Sequence, residues 1–476
     1  MRVPFGEWCP DLAELDAGVA ALAENVYPAS NSYMPVLGPR PYSSPIEASP
    51  RGLFMAQQLA GNFVIIAGTA DKLFRFDSST LDFDEYGSGY TVPADELWSG
   101  TQFGTDFIAT NVNDAPQVLD LEVGSSFGPL TGSPPAARVV GVVEGHVFLL
   151  STSTDPSGGQ WSGIEDATQW TPGSDGSDVF SFADGGRIMN LAPAAKLIVQ
   201  ERAIRRIIHQ PGDAIIFAFD KLEDAKGSIA PYSVVALGSA VGYLAEDGFW
   251  FNGQPIGKDK VDRFFFSEVD QSRLFSVLGT YDPTRPLIYW AYRTGESDLY
   301  NRVLVYNWKT QRWSVISANL YMLSNIATPG VTLEGLDALY PNLDTDVPFS
   351  LDSRVWLGGR PVFGVFDESL RLSFFEGDTL EATLDTGEIE LVPGKTSWVT
   401  SVRPMVDTTE AVARVGSRAR LGDARTFGPE SAMKASGRCP VRVRDRYHRF
   451  RLRIPAGATW THAQGVDVEG RQAGSR

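Results

Sequence analysis

Cysteine and histidine are scarce in this chain of 476 residues, which has two cysteines, Cys9 and Cys439, and 4 histidines. The two cysteines lie far apart, so the sequence offers neither the spacing of a metal site nor a disulfide framework, and it indicates maturation in a reducing compartment. Only His448 and His462 lie close together, and no carboxylate or thiol stands at ligand spacing beside them. We therefore expect no metal ion and no cofactor.

Long apolar runs are also missing. A helix that crosses a membrane needs about 20 apolar residues, whereas the longest run here, residues 139–150, contains Glu144 and His146 and is expected to form a strand. The first residues lack the basic region and apolar core of a secretory leader. We expect no integral membrane segment, and a chain that stays where it is made unless it leaves as part of a larger assembly.

Positive charge is in deficit, with 41 Lys and Arg against 58 Asp and Glu and a formal net charge of −17. A DNA-binding groove requires the opposite sign, whereas an acidic surface suits solubility or a wall that repels phosphate. The deficit is uneven, because residues 402–476 hold 15 basic against 7 acidic residues. That segment carries +8 and the rest of the chain −25, an asymmetry that indicates a basic interaction surface.

The signatures of common catalytic sites are absent from the sequence. No phosphate-binding loop and no nucleophile elbow occurs, and the nearest approach, Gly87-Ser-Gly, is typical of a turn. Glycosidase carboxylates meet in space and cannot be recognised by spacing. Asp175 with Asp178, and Asp344 with Asp346, could bind calcium in loops, but they lack the full ligand spacing of an EF-hand and favour solvated turns. We predict that the chain is not an enzyme.

Glycine and proline are abundant, at 47 and 30 residues, which favours many short strands over long helices. From residue 52 onward an apolar strand, a turn and an aromatic strand recur about every 40 to 60 residues, a spacing typical of four-stranded propeller blades. Asp247-Gly248 and Asn252-Gly253 are candidate hairpin turns. The sequence predicts an all-β fold with a propeller-like domain over residues 51–370; an irregular multi-sheet β protein is the alternative.

Two further segments flank this repeat. Residues 1–50 are rich in proline and predict an extended N-terminal arm, with one short helix over residues 11–25 because Leu12, Leu15, Val19 and Leu22 share a helical face. Residues 371–476 predict a smaller β-rich platform domain with basic strands.

Alternating arginines mark the basic strands. One set, Arg442, Arg444 and Arg446, shares one face of a strand, and a second set, Arg449, Arg451 and Arg453, does the same with Phe450, Leu452 and Ile454 packed opposite. Such a row can contact DNA phosphates, or it can pair with the acidic surface of a neighbouring copy; a solvated face without a specific role is the third interpretation. We favour subunit contact, because the acidic remainder of the chain supplies the partner.

Three stretches resemble a known family. They are Arg446-Tyr-His-Arg-Phe-Arg-Leu-Arg-Ile-Pro with Thr461-His-Ala-Gln-Gly-Val-Asp-Val, then Trp161-Ser-Gly-Ile-Glu-Asp-Ala-Thr-Gln-Trp, and Ile198-Val-Gln-Glu-Arg-Ala-Ile-Arg-Arg-Ile. They look like segments of the tail nozzle or tail hub proteins of short-tailed bacteriophages, also called DNA-stabilisation or head-completion proteins. The likeness covers roughly residues 50–470 and includes no catalytic motif.

The resemblance implies a structural virion protein, assembled in the host cytoplasm, that forms a ring, expected to be a hexamer, below the portal and adaptor rings. Such a head–tail connector part retains the packaged double-stranded DNA and conducts it through the lumen at ejection. The implied partners are further copies of the chain, the adaptor ring, and tail fibre, spike or needle proteins. Two alternatives stay open: a propeller that binds a host receptor or carbohydrate at the virion tip, with exposed aromatic and carboxylate side chains, and a propeller hydrolase with paired carboxylates or a metal in its channel.

Overall fold

The computed structural model describes residues 1–13, 15, 18–212 and 215–473. The first 45 residues supply strands to three parts of the molecule. These are β1 (Arg2–Pro4), β2 (Glu7–Trp8), β3 (Val19–Glu24), β4 (Val26–Pro28), β5 (Tyr33–Pro35) and β6 (Arg40–Pro45). The expectation of an extended arm is therefore corrected, and the predicted helix over residues 11–25 is wrong where β3 stands; residues 14, 16 and 17 lie outside the described part.

Five consecutive segments each fold into a separate four-stranded antiparallel sheet, numbered here blades 1 to 5. Blade 1 consists of β7 (Gly52–Gln57), β8 (Phe63–Gly68), β9 (Lys72–Asp77) and β10 (Asp82–Ser88). Blade 2 consists of β11 (Ser99–Phe103), β12 (Asp106–Thr110), β13 (Gln117–Asp120) and β14 (Gly128–Pro129), and blade 3 of β15 (Ala137–Val143), β16 (His146–Thr152), β17 (Gly158–Trp161) and β18 (Asp178–Ser181). Blade 4 consists of β19 (Ile188–Ala192), β20 (Leu197–Gln200), β21 (Ala203–His209) and β22 (Phe217–Asp224), and blade 5 of β23 (Val235–Leu237), β24 (Ala240–Ala245), β25 (Gly248–Phe251) and β26 (Gln254–Pro255).

Two more blades share one long strand. After helix α1 (Asp262–Glu268), blade 6 is β27 (Leu278–Tyr281), β28 (Leu287–Tyr292), β29 (Tyr300–Asn307) and the first part of β30 (Arg312–Ala327). The second part of β30 is the inner strand of blade 7. An insertion with α2 (Leu333–Leu339) and α3 (Arg354–Leu357) follows, and then β31 (Pro361–Asp367) and β32 (Arg371–Phe374). The N-terminal β6 pairs antiparallel with β32 and completes this blade.

In the described part of the chain, seven blades form a closed ring, because buried apolar clusters fill the spaces between neighbouring blades. Clusters join blades 1 and 2, 2 and 3, 3 and 4, and 4 and 5. Another includes strands of blades 5 and 6, and a last one includes blades 6, 7 and 1. Ser324 of blade 7 also donates to the carbonyl oxygen of Leu53 of blade 1, at 3.2 Å. The expected all-β, propeller-like fold is confirmed.

The second domain, the platform, is a two-sheet sandwich made from both ends of the chain. Its remaining strands are β33 (Ala382–Thr386), β34 (Ser397–Val406), β35 (Val412–Arg418), β36 (Thr426–Phe427), β37 (Ser431–Ala432), β38 (Cys439–Asp445), β39 (Tyr447–Ile454) and β40 (Ala463–Gln472). One sheet has the order β38-β34-β40-β5-β4 with β1 beside β40; the other runs β3-β33-β39-β35. Val399 and Val466 of the first sheet and Leu384 and Phe450 of the second belong to one buried cluster.

Turn residues decide several details of the propeller. The apolar run at residues 139–150 is a hairpin rather than the single strand expected, since Glu144 and Gly145 adopt φ angles of 49° and 75° and reverse the chain between β15 and β16. Asn252 and Gly253 likewise join β25 to β26. Asp175 lies at a turn, where its φ is 48°. Within the described residues, no helix is long and apolar enough to cross a membrane.

Candidate functional site

The two sets of alternating arginines lie in opposite sheets of the platform. Arg442 and Arg444 stand exposed on β38, at the edge of the first sheet, whereas Arg449, Arg451 and Arg453 stand on β39, in the middle of the second. The predicted alternation of β39 is confirmed, because Phe450, Leu452 and Ile454 are all fully buried on the opposite face. The arginines therefore do not form one continuous row.

Carboxylates of the same chain hold several of the predicted contact residues. Arg451 donates from Nε and Nη2 to Oδ1 and Oδ2 of Asp385, both at 2.8 Å. Arg453 meets Glu381 and Glu430 at 2.9 and 2.7 Å, and Arg446 meets Glu390 at 2.6 Å. Arg449 is only 8% exposed, and Arg451 holds a buried carboxylate. Contact of these two residues with a neighbouring copy or DNA stays a prediction.

A buried carboxylate neutralises two further arginines of the basic segment. Glu388 is 2% exposed and accepts hydrogen bonds from Arg418 and Arg425. The acidic residues between 376 and 390 thus offset the basic ones after residue 402. Residues 1–35 and 376–476 together hold 17 Lys and Arg against 18 Asp and Glu, a net charge of −1, so residues 36–375 carry −16 of the total of −17. The charge asymmetry of the sequence becomes an acidic propeller beside a nearly neutral platform.

The exposed arginines of β38 have neighbours that the sequence interpretation did not include. The strand register places Trp398 of β34 between Arg444 of β38 and Arg471 of β40. Trp398 and Arg471, together with Arg442, line a groove of about 710 Å³ beside the edge of the sheet. Alternation within a single strand gave no signal for this set, because it is assembled across three strands.

A cluster of ion pairs occupies the propeller axis at the end where the inner strands begin. Glu96, in the link between blades 1 and 2, accepts from Nη2 and Nε of Arg138 of blade 3 at 2.9 and 3.1 Å. Its neighbour Asp95 accepts from Nη1 of Arg293 of blade 6 at 3.0 Å. Blades 3 and 6 are not neighbours in the ring, so the link between blades 1 and 2 must cross the axis to reach both of them.

The axial cluster also includes the hydroxyl group of a tyrosine, Tyr232. The N–H of Leu97 donates to the hydroxyl oxygen of Tyr232, from the link between blades 4 and 5, at 2.9 Å. Burial raises the pKa of Tyr232, and the Glu96 carboxylate adds to the rise. Burial lowers the pKa of Arg138 but the Glu96 carboxylate outweighs it, so the guanidinium stays charged. Both acidic side chains of the axial cluster, Glu96 and Asp95, are therefore paired with arginines.

Ser397 and His448 lie in hydrogen-bond contact inside the platform, with 2.8 Å between Oγ and Nε2. Both residues are fully buried, and no acceptor faces Nδ1 of His448 among the described residues. Burial lowers the pKa of His448. The pair lacks the orienting carboxylate of a catalytic triad and has no access to solvent. No group of three or more His, Cys, Asp or Glu residues in the described part of the chain is placed to hold a metal ion.

An aromatic ridge lies on the rim where blades 3 and 4 meet. Phe219 of β22 stacks on Phe180 of β18 with 4.5 Å between ring centroids, and Phe182 packs against Phe219 at 5.2 Å. These three rings are half-buried, and Val179 beside them is 52% exposed. The ridge combines two strands that are far apart in sequence, so it was not among the sequence-based candidates.

No family model and no curated sequence matches the chain. Among solved structures, the chain is similar to the N-terminal domain of Nup159 at 10% identity and a TM-score of 0.37, over 74% of this chain and 98% of that one. It is similar to a chain of the mitotic checkpoint complex at 8% identity and a TM-score of 0.35, over 73% and 96%. It is also similar to the computationally designed Ika8 protein at 8% identity and a TM-score of 0.35, over 71% and 99%.

Proposed function

We propose that the protein is a structural virion component, a tail nozzle of a short-tailed bacteriophage, in which copies of the chain form a ring below the adaptor and surround the path of the DNA. The observation that carries the proposal is the division of charge between the two domains. The propeller holds −16 of the net charge, and the platform is nearly neutral. An acidic wall repels phosphate, so DNA can pass it without being retained.

The axial cluster bears on where such a path would run. Arg138, Glu96, Asp95 and Arg293 occupy the axis of each propeller with paired charges. A duplex therefore cannot use the propeller axis, and the conduit of the proposed ring lies between copies of the chain. The acidic outer surfaces of the propellers are then the candidates for its wall.

The stretches that resemble tail nozzle proteins fall in both domains. Residues 161–170 leave β17 of blade 3, and residues 198–207 form the hairpin of β20 and β21 in blade 4. Residues 446–455 and 461–468 include β39 and much of β40, which are central strands of the two platform sheets. The resemblance thus involves framework segments of both domains, which supports a shared architecture rather than a shared surface motif.

The proposal is tested by the mass of the purified protein in solution and by negative-stain images, each with and without the tail adaptor. A closed ring, alone or on the adaptor, supports the nozzle. A strict monomer that ignores the adaptor overturns it. Cryo-electron microscopy of the ring would then show whether the lumen lies between copies, as the occupied propeller axis requires.

The aromatic ridge favours a second candidate function, recognition of a host carbohydrate at the virion tip. Sugar-binding surfaces present aromatic faces beside polar groups. In the ridge, the guanidinium of Arg205 lies over the ring of Phe182 and pairs with the carboxylate of Asp184, which also pairs with Lys221. Binding to host surface polysaccharide that is lost in Phe219→Ala but kept in Phe83→Ala, a change on another blade, would support this function. Equal binding by both variants would contradict it.

A further inference from the structure

One face of the first platform sheet carries a cationic row built from three strands. The register sets Arg444 of β38, Trp398 of β34 and Arg471 of β40 side by side, and Arg442 follows two residues before Arg444 on the same strand. Side chains directly opposite on neighbouring strands have Cβ atoms about 5 Å apart. The three arginines are exposed and the tryptophan is half-buried between them. We call this set the cationic row.

The acidic residues near the row are engaged elsewhere. Glu469 of β40 pairs with Arg438 at 2.8 Å, and Glu430, which lines the same groove, pairs with Arg453 at 2.7 Å. Among the described residues, Arg442, Arg444 and Arg471 have no carboxylate partner within the chain. This contrasts with Arg446, Arg451 and Arg453, which the fold has already matched with acidic residues.

An acidic protein surface fits this row better than a nucleic acid does. The chain as a whole carries −17, so a phosphate backbone approaching the row also meets the repulsion of the propeller. A second copy of the chain brings a propeller with −16 and needs a local cationic surface to overcome the repulsion between two like-charged molecules. The half-buried Trp398 adds an apolar anchor of the type enriched at protein interfaces.

We propose that Arg442, Arg444, Arg471 and Trp398 form the surface by which one copy docks on the acidic propeller of a second copy. The inference deepens the proposed function and rests on it, because the nozzle supplies the second copy. Guanidinium–carboxylate pairs across the contact set its register and speed its formation, and the contact weakens as salt screens them.

The test is a charge reversal with a matched control. The variant carries Arg442→Glu, Arg444→Glu and Arg471→Glu, and the control carries Lys258→Glu, Arg360→Glu and Arg420→Glu, three exposed residues away from the row with the same change in net charge. Analytical ultracentrifugation of both and of the wild type at low and high salt measures self-association. We expect the row variant to associate at least tenfold more weakly than the control, and the wild type to associate more weakly at high salt.

Three outcomes distinguish a failure of the proposed docking surface from a failure of the proposed nozzle function. A wild type that forms rings while the row variant associates as well as the control overturns the docking surface and leaves the nozzle intact. A wild type that stays monomeric with and without the adaptor overturns both. Fluorescence anisotropy with a DNA duplex provides the third outcome. If the wild type and the control bind the duplex tightly, the row variant does not, and all three form the same rings, then the row binds phosphate and the inference is overturned.

A second measurement does not depend on how the triple variant folds. Lys395 lies near the row, with its Nζ 3.5 Å from Gln472, the residue after Arg471. A zero-length carbodiimide cross-linker applied to a mixture of isotopically light and heavy wild-type chains joins lysines to carboxylates of the other copy. Mixed-isotope links from Lys395 to propeller carboxylates within residues 36–375 are expected. Links confined to the same copy would contradict the docking surface.

Discussion

Asp385 is 1% exposed, and the guanidinium of Arg451 meets both of its carboxylate oxygens at 2.8 Å. The arginine also stands 4.4 Å from the ring centroid of Phe427. A residue that looked in sequence like one of a row of surface cations thus holds a carboxylate that would otherwise be buried without a partner. The pair links β33 to β39 within the second platform sheet.

Removing one partner of this pair should destabilise the platform. Arg451→Leu leaves Asp385 buried without a counter-charge, and we expect a loss of about 3 to 5 kcal/mol in the free energy of unfolding. Urea denaturation measures it. Arg453→Leu is the control, because its carboxylate partners are about half exposed and such pairs contribute up to about 1 kcal/mol. Equal losses in the two variants would contradict the assignment.

Asp262 makes the stability depend on pH near neutrality. Burial raises its pKa to about 7; a hydrogen bond from the Phe249 N–H opposes the shift and nearby carboxylates add to it. The fold leaves room for the carboxylate only because Gly248 and Gly257 lack side chains. Between its usual pKa of about 4 and 7, the folded protein binds more protons than the unfolded chain, so stability falls as pH rises through this window.

Asp262→Asn keeps the acceptor for the Phe249 N–H and removes the charge. We expect the variant to be more stable than the wild type at pH 8 and to show a flatter dependence of the free energy of unfolding between pH 5 and 8. Chemical denaturation across this range is the measurement. Asp352→Asn, at an exposed position that is not among the carboxylates acting on Asp262, should retain the wild-type slope. If Asp262→Asn retains it as well, the buried carboxyl is not its source.

Asp407 gives the free energy of unfolding the opposite pH dependence, at low pH. Burial alone would raise its pKa, but hydrogen bonds from the hydroxyl and N–H of Thr461 and from the N–H of His462 lower it to about 2. Its contribution to stability is complete above its usual pKa of about 4 and is lost as pH falls towards 2. Asp407→Asn should therefore lose stability at pH 6 and show a smaller decline below pH 4. An acid titration monitored by tryptophan fluorescence, with Asp423→Asn as control, tests both parts.

Tyr232 protects a backbone amide on the propeller axis. Its hydroxyl oxygen accepts the N–H of Leu97, and Tyr232→Phe leaves this donor without its partner. We expect a loss of about 1 to 2 kcal/mol and faster hydrogen exchange at Leu97 and Trp98, measured by mass spectrometry. Tyr321→Phe, on the inner strand of blade 7, should leave exchange at these amides unchanged. Unaltered protection in Tyr232→Phe would show that the axial cluster does not depend on this bond.

The sequence predicted those structural features that depend on residues close together in the chain. The alternation that places Phe450 and Leu452 inside and arginines outside β39 follows from the two-residue period of a strand, so it was readable from the sequence. Residues 19–24 were misread as helix because Val19 and Leu22 fit a helical period, whereas pairing with β33, far away in the chain, fixes them as a strand. No window of sequence contains that partner.

The same limit applies to the candidate sites. Asp95 and Arg293 are 198 residues apart in sequence, and Trp398 meets Arg444 and Arg471 only through the registers of three strands. The sequence showed that the C-terminal segment is basic. It did not show which guanidiniums would be matched by Glu388 or Asp385, since both carboxylates lie in a segment whose alignment with the arginines is set by folding.

The closing strand of the propeller has a consequence for how the protein is made. Ser43 of β6 and Leu372 of β32, which join by a hydrogen bond, are 329 residues apart. A ribosome that adds about 5 to 20 residues per second needs roughly 15 to 65 s to bridge that interval. During this time β1 and β6 have no partner strand, and the nascent chain exposes open sheet edges that another chain can capture. Slow or crowded synthesis should therefore favour exchange of the first strands between copies, and production yield should depend on chaperones that hold the leading segment until the last blade emerges.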